Sequence, residues 1–413
     1  MTDATAVHHG SLAGTDRLAR EPLLLLFLGL FATAVGQAFV FAILPPLGRS
    51  VGLDELRITA IISTSALVFT LSAPFWGRVS DRIGRKPVIL IGLLGYSVGS
   101  LAFAILFGAA GQGLISGLSL FVTALLFRSL QAATMSATHP GCTAYAADHT
   151  VAQFRIKTLA RLSSANSIGM IMGPVLAGLV AGFGLLAPLV VASILCGLAA
   201  LIIALKLSNG VSPRSIQTPP NRMGYLDGRV RVYLFSAIGA FTGFAMVQQT
   251  LAFRLQDALS LSGIETARYT GLAMMASAAS TLIMQVTISQ RYSGPPIHLV
   301  RWGAGLLVGG TLVISALQSW PAILASMGFI GAGLGLLMPA VTAGASLAVG
   351  PEEQGGVSGL VSACPAAGFV LGPISGGFLY QHDASAAAWA ATAILLLVFL
   401  STFRRSDPRS PAL

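Results

Sequence analysis

The chain has 413 residues, of which 54% are hydrophobic and only 9% charged, with a mean hydropathy of +0.81. Soluble proteins carry about 25% charged residues, so the supply here is too small to cover a water-exposed surface. A soluble enzyme, a nucleic-acid binder and a disordered chain are excluded. The net charge of +10 comes from short basic clusters between apolar runs rather than from one basic face, which points to lipid and not to nucleic acid as the partner. Cys142, Cys196 and Cys364 have no metal-ligand spacing and read as small core residues.

A bilayer core is crossed by about 20 mostly apolar residues. Twelve such stretches follow one another in the chain: residues 22–48, 57–79, 88–108, 113–139, 156–183, 185–206, 230–256, 264–288, 298–318, 320–348, 355–381 and 384–403. The runs are continuous rather than alternating, which predicts helices and not a strand barrel. The first is too long for a signal-peptide core and has no small-residue cleavage site behind it, so it is expected to remain as a helix. Lys and Arg favour cytoplasmic loops. With the N terminus inside, 19 of the 24 basic residues fall on that side, leaving Arg49, Arg57, Arg128, Arg254 and Arg268 elsewhere. A multi-pass protein of the inner (cytoplasmic) membrane with both termini in the cytoplasm is expected.

Residues 208–228, with Ser212-Pro213 and Pro219-Pro220-Asn221, have the composition of a linker. They divide the chain into an N-terminal part, 1–207, and a C-terminal part, 229–413, with six stretches each. The two parts repeat. Pro140 and Thr143 recur as Pro339 and Thr342, and Gly169, Gly173, Pro174 and Gly178 recur as Gly368, Gly372, Pro373 and Gly377, all at an offset of 199 residues. Glycines four apart let helices pack closely, and proline frees a carbonyl and permits a bend. Parallel repeats of this kind place a substrate site near the midplane, between the halves.

Between the second and third stretches stands Gly77-Arg78-Val79-Ser80-Asp81-Arg82-Ile83-Gly84-Arg85-Lys86-Pro87. It resembles the complete G-x-x-x-D-R-x-G-R-K-P signature of the major facilitator superfamily. A degenerate copy, Ser289-Gln290-Arg291 to Pro296, sits between the eighth and ninth stretches. The resemblance implies an all-α membrane fold of twelve transmembrane helices in two pseudo-symmetric six-helix bundles. It also implies a gate or conformational switch at Gly77, Asp81, Arg82, Gly84, Arg85 and Lys86. Asp81, at a helix end, can pair with a base of a neighbouring helix, a pair that one conformation keeps and the other breaks. The Gly169–Gly173–Pro174–Gly178 pattern resembles the span-five motif of the drug:proton antiporters in that superfamily. Ala144-Tyr145-Ala146-Ala147-Asp148 is similar to the corresponding segment of the tetracycline-exporter-like branch. Arg128-Ser129-Leu130-Gln131 resembles the R-x-x-Q element, and its +199 counterpart is Met327, so the charge is not a symmetric packing requirement.

One departure concerns the proton. Exporters of that branch place a carboxylate inside the first helix, where this chain has Gln37, and none of its fourteen acids falls in the middle of a stretch. The residues left to line a cavity are Gln37, Phe41, Arg128, Gln131, Gln248, Gln249 and Gln285. An intramembrane arginine is costly and faces either a cavity or a partner; the alternative is an Arg128 satisfied by carbonyls of an adjacent helix. Asp81, His139 and Asp148 are the candidate proton carriers.

The expected function is proton-coupled efflux of small amphipathic compounds by alternating access, the compounds being neutral, zwitterionic or anionic because a cation would meet Arg128. The alternatives are export of a metallophore or acidic metabolite, and a nutrient or organic-anion symporter. No nucleophile triad, metal cluster or phosphate loop appears in the sequence. The chain is therefore read as no enzyme, with no metal and no cofactor beyond the proton gradient. Its expected partners are a small-molecule substrate and the lipid bilayer, without nucleic acid, and a monomer is expected.

Overall fold

The computed structural model describes residues 20–208, 227–350 and 353–403; most of the 208–228 segment lies outside the described residues. The helices are α1 (Arg20–Ser50), α2 (Glu55–Ile83), α3 (Arg85–Gly111), α4 (Gly117–Met135), α5 (Thr138–Asp148), α6 (Ala152–Val180), α7 (Ala187–Lys206), α8 (Arg231–Leu259), α9 (Gly263–Met284), α10 (Pro296–Ala316), α11 (Trp320–Leu347), α12 (Gln354–His382) and α13 (Ala386–Ser401). Among the described residues there is no strand. Eleven helical segments, with α4 and α5 counted as one, are long and apolar enough to cross a membrane, and α13 is a shorter apolar helix. The chain is an all-α, multi-pass membrane protein.

The repeat in the sequence is not matched by identical helices. The fourth stretch is broken: α4 ends at Met135 and α5 begins at Thr138, whereas α11 runs unbroken through Pro339. Proline donates no hydrogen bond to the carbonyl four residues back. For Pro339 that carbonyl belongs to Gly335, and the Ser289 hydroxyl donates to it at 2.9 Å. Ser289 closes a short π-helical turn, Gln285–Ser289, that continues α9. The corresponding carbonyl for Pro140 is that of Ser136, which receives no such side-chain donor among the described residues, and the chain turns there instead.

One apolar core packs α1–α7 around Leu26, Phe39, Ile61, Phe103 and Cys196, and a second packs α8–α13 around Leu251, Leu307, Met327 and Cys364. The first core does not stop at the boundary between the halves. It also takes in Phe253, Ala267, Tyr380 and Ala387 from the second half. All four lie toward one membrane face, the one reached by the last turns of α1, α8 and α12. This is called the latch face below, and the opposite face, which carries the Gly77–Pro87 loop, the loop face.

The matched glycines explain the closure. Gly169 and Gly173 of α6 lie against Ala34, Val35 and Ala38 of α1, and their counterparts Gly368 and Gly372 of α12 lie against Phe241, Thr242 and Ala245 of α8. These contacts stay within each half. The last member of each set crosses over: Gly178 meets Ala267 and Arg268 of α9, and Gly377 meets Thr59 of α2. Pro174 and Pro373 are both inside continuous helices. The Pro174 carbonyl abuts Gly271 of α9, a second contact between the halves.

Within the second half, α9 and α11 approach most closely at Gly331, whose position leaves no room for a Cβ beside the Ser277 carbonyl, while Gly309 of α10 faces open space. Gly331→Ala is expected to destabilise the protein by about 1–3 kcal/mol, the cost of overpacking a tight contact, and Gly309→Ala to leave it unchanged or slightly firmer. Thermal unfolding of the two variants in detergent checks the contrast.

Candidate substrate cavity and gates

A cavity of about 630 Å³ lies between the halves. Its walls come from α1, α2, α4, α5, α6 and α12, and include Thr33, Gln37 and Phe41 of α1, Arg128 of α4, His139 of α5, Asn166 of α6 and Phe369 of α12. At its far end Phe41 and Phe369 stack across the two halves, with ring centroids 5.7 Å apart and planes 4° from parallel. Phe241 and Phe244 of α8 pack on Phe369, each at 6.3 Å. The opposite end runs toward the loop face, where a shallower depression shares Pro140 and Thr143 with the cavity and adds Arg78, Asp81 and Ala144.

Arg128 is the charged centre of this space. Its side chain is 1% exposed. Nη1 donates to Gln131 Oε1 at 2.6 Å and Nη2 to Gln37 Oε1 at 2.7 Å. Gln131, one helical turn from Arg128, is itself held by donating to the Tyr96 carbonyl at 3.1 Å and the Ser100 hydroxyl at 2.8 Å. The amide oxygens of both glutamines therefore point at the guanidinium. Arg128 Nε and the Tyr96 hydroxyl are buried without a hydrogen-bond partner. No carboxylate among the described residues pairs with Arg128. Its oxygen partners are side-chain amides and not the helix carbonyls of the alternative reading.

The residues named from sequence for this cavity divide into two sets. Gln37, Phe41 and Arg128 line it, and Gln131 stands behind Arg128. Gln248, Gln249 and Gln285 do not border it. Gln248 and Gln249 are 3% and 0% exposed on α8, inside the part of the interface that is closed at the latch face. Gln285 lies in the π-helical turn at the loop-face end of α9. Asn166 and Phe369 complete the wall and were not singled out from sequence, although Phe369 directly follows Gly368 of the repeat.

His139 faces the cavity, and its imidazole has no hydrogen-bond partner among the described residues. Asp81 and Asp148 are differently placed. Arg85, at the first turn of α3 and 7% exposed, donates Nη1 to Asp81 Oδ1 at 2.5 Å, Nε to Asp148 Oδ2 at 2.8 Å and Nη1 to the Ser80 hydroxyl at 3.0 Å. One buried guanidinium thus ties α2, α3 and α5 together. Gly84 makes the turn at φ 96°, a conformation that side-chain-bearing residues avoid. Lys86 Nζ donates to the Ala204 carbonyl at the end of α7 at 2.8 Å, and Arg82 is exposed. At Gly77 an added Cβ would touch nothing, and the residue borders the loop-face depression, whose lining comes from the first half.

At the latch face the halves are held by charge. Arg49, at the end of α1, donates to Asp257 of α8 through Nη1 at 2.6 Å and Nη2 at 2.9 Å, and to Glu55 of α2 through Nη2 at 2.6 Å and Nε at 2.9 Å. Its guanidinium also covers the Phe253 ring at 4.7 Å. Asp257 accepts a further bond from the Tyr380 hydroxyl at 2.7 Å. The Ile374 N–H donates to the Ser63 hydroxyl at 2.9 Å across the same interface. The molecule is closed at the latch face and open at the loop face.

The Major Facilitator Superfamily model matches residues 26–318 and 233–413. The chain belongs to the Major Facilitator Superfamily. It is 28% identical to multidrug resistance protein 1 of Bacillus subtilis over 394 residues, covering 94% of this chain and 96% of that one. It is also 28% identical to the class G tetracycline resistance protein of Vibrio anguillarum over 403 residues, covering 92% and 96%. The fold is shared with the inward-facing, occupied structure of a bacterial homologue of the human lysosomal transporter Spinster, at a TM-score of 0.76 and 15% identity over 94% of this chain and 98% of that one. An inward-facing bacterial homologue of ferroportin gives 0.72 at 16% identity, covering 94% and 99%.

As a superfamily carrier the protein must part at the latch face in the other half of its cycle. Asp257→Asn removes the charge that Arg49 bridges to while keeping the shape of the side chain. It is expected to raise the share of molecules open at the latch face several-fold. Accessibility of a cysteine placed at Ser63, which is buried in this conformation, reports that share directly; unchanged labelling would show that the glycine contacts alone hold the face shut.

Proposed function

We propose that this carrier exports small amphipathic compounds that are neutral, zwitterionic or anionic, in exchange for protons, from a cell whose inner membrane it crosses with both termini in the cytoplasm. The loop face is then cytoplasmic, as the basic residues favour, and the latch face external. The bundles 1–207 and 229–413 rock against each other as a monomer, without enzymatic chemistry. Relatives named for multidrug and tetracycline resistance support the direction of transport.

The observation that carries the substrate reading is Arg128, a buried cation in the cavity wall bonded to neutral amides and unpaired by any described carboxylate. A cationic ligand about 4 Å away would be repelled by around 4 kcal/mol at an effective dielectric near 20, roughly a thousandfold in affinity. A carboxylate meets no such cost and gains a charge-assisted hydrogen bond. Phe41 lies one turn along α1 from Gln37, so a planar ring beside the Phe41–Phe369 stack leaves its acid group within reach of Arg128. Export of a metallophore or an acidic metabolite falls within this reading. Uptake of an organic anion is the competing one, because the same arginine would serve it, and transport direction separates the two.

Reconstituted into vesicles with an imposed pH gradient, the protein is expected to move an aromatic carboxylate or a zwitterionic drug at least ten times faster than the permanent cation ethidium. Arg128→Gln should abolish the acid flux. Vigorous ethidium transport that survives Arg128→Gln would overturn the reading.

For the proton, we propose His139. Asp81 and Asp148 are both engaged by Arg85, whereas His139 is open to the cavity and shares it with Arg128. A substrate whose apolar body packs beside His139 desolvates the imidazole and disfavours its charged form, so substrate and proton compete, which is the coupling an exchanger needs. An acid group placed directly against it would instead hold the proton on. Substrate-induced proton movement in detergent should vanish in His139→Asn and persist in Asp148→Asn; the reverse pattern assigns coupling to the Arg85 cluster.

A further inference from the structure

Arg254 of α8 is a buried charge, most of whose donors have no partner among the described residues. It is 5% exposed, and its sole hydrogen bond among the described residues runs from Nη1 to the Ala384 carbonyl at 3.3 Å. Nε and Nη2 are buried without a partner. The nearby carboxylate of Asp383 attracts Arg254 through space without a hydrogen bond to it. It is bonded by the Ser385 backbone N–H and hydroxyl at 2.7 and 2.8 Å, which, with the Arg254 charge, hold it below the ordinary carboxylate range. A guanidinium has five donors in a planar fork, and here most of that fork is idle.

Three residues along the same helix, one turn away, stands Asp257, so the two side chains can meet across the helix surface. In the present conformation Asp257 is taken by Arg49 from the other half and by Tyr380 from its own. When the latch face parts, Arg49 leaves with α1 and keeps Glu55, which belongs to the same half. Asp257 stays behind with α8. Its carboxylate, 45% exposed, then keeps water and the Tyr380 hydroxyl and is free to take a new partner, while the buried Arg254 still has two donors unfilled.

We propose that Arg254 is the stand-in counter-ion of Asp257, unpaired in the conformation open at the loop face and paired in the conformation open at the latch face. Each half then carries a complete neutral pair through the transition, Arg49 with Glu55 and Arg254 with Asp257. The crossing Arg49–Asp257 bridge is exchanged for a pair within α8 rather than simply broken. Arg254 is a positioning residue in this scheme: it touches no substrate and sets the balance between the two conformations through Asp257.

The test uses the full chain in lipid nanodiscs, with spin labels at the exposed latch-face positions Gln112 and Gln318 and pulsed measurement of the distance between them. Arg254→Gln is expected to deplete the long-distance, latch-open population at least fivefold, and Arg254→Lys to retain most of it. Adding Asp257→Asn to Arg254→Gln should restore the open population to the level of Asp257→Asn alone, because a neutral amide needs no counter-ion. A role confined to bracing the Ala384 carbonyl would not be relieved in this way. An unchanged open population in Arg254→Gln, or a depletion that Asp257→Asn fails to relieve, overturns the proposal.

Discussion

A charge inside hydrocarbon has no water to turn to, and much of this molecule follows from that constraint. Arg128 is kept charged by two amide oxygens, and those oxygens are aimed by further bonds to Tyr96 and Ser100. The network fixes how α1, α3 and α4 sit around the cavity. Bonds to a charged group are worth about 1.5–3 kcal/mol each, enough to orient the guanidinium but short of the full cost of burying it. The cavity around it is lined mostly by apolar side chains, so on the function proposed above the remainder is met by a ligand's own negative charge, and the arginine selects what can enter.

The same constraint shapes the two faces. At the loop face Arg85 draws two carboxylates and a hydroxyl into the first half alone, so the halves are free to stand apart there. At the latch face Arg49 reaches across to Asp257 while also holding Glu55. Small residues set the backbone distances, and charges decide which face stays shut. Gly178 and Gly377 permit contact between the halves, as does Gly271 beside Pro174. A contact that is merely permitted can be released, and a bridge between ionised groups near an interface, partly screened by solvent, has the modest strength that a two-state carrier requires.

The near-symmetry of the halves is an asset only where packing is concerned. The glycine and proline sets recur because each half needs the same close helix pairs. Arg128 has no counterpart, since Met327 stands at its matched position and is buried in the second core. The Pro140 break and the continuous helix through Pro339 differ because a serine hydroxyl 46 residues away caps one freed carbonyl and, among the described residues, no such donor meets the other. Chemistry is thus concentrated in the first half, and the second supplies the aromatic wall at Phe369 and a partner for the latch.

Much of this was legible in the sequence, for physical reasons that act locally. Hydropathy and length set the number of crossings, because hydrocarbon thickness is a fixed ruler. The shared offset of 199 residues announced two related halves, and the Gly77–Pro87 motif located a turn whose Gly84 adopts a positive φ. Gln37, Phe41 and Arg128 could be picked out because polar or aromatic groups in an apolar run have few other uses. Gln248 and Gln249 met the same criterion yet sit outside the cavity, since the conformation decides which part of the interface is open. Arg49 and Asp257 carried no sequence signal as a pair: they lie 208 residues apart, each an ordinary charge at a helix end. Composition and periodicity report what a residue can tolerate, helix by helix. Which charges share a guanidinium, and which face is closed, depends on how two bundles meet, and only the tertiary structure brings those groups within hydrogen-bond distance.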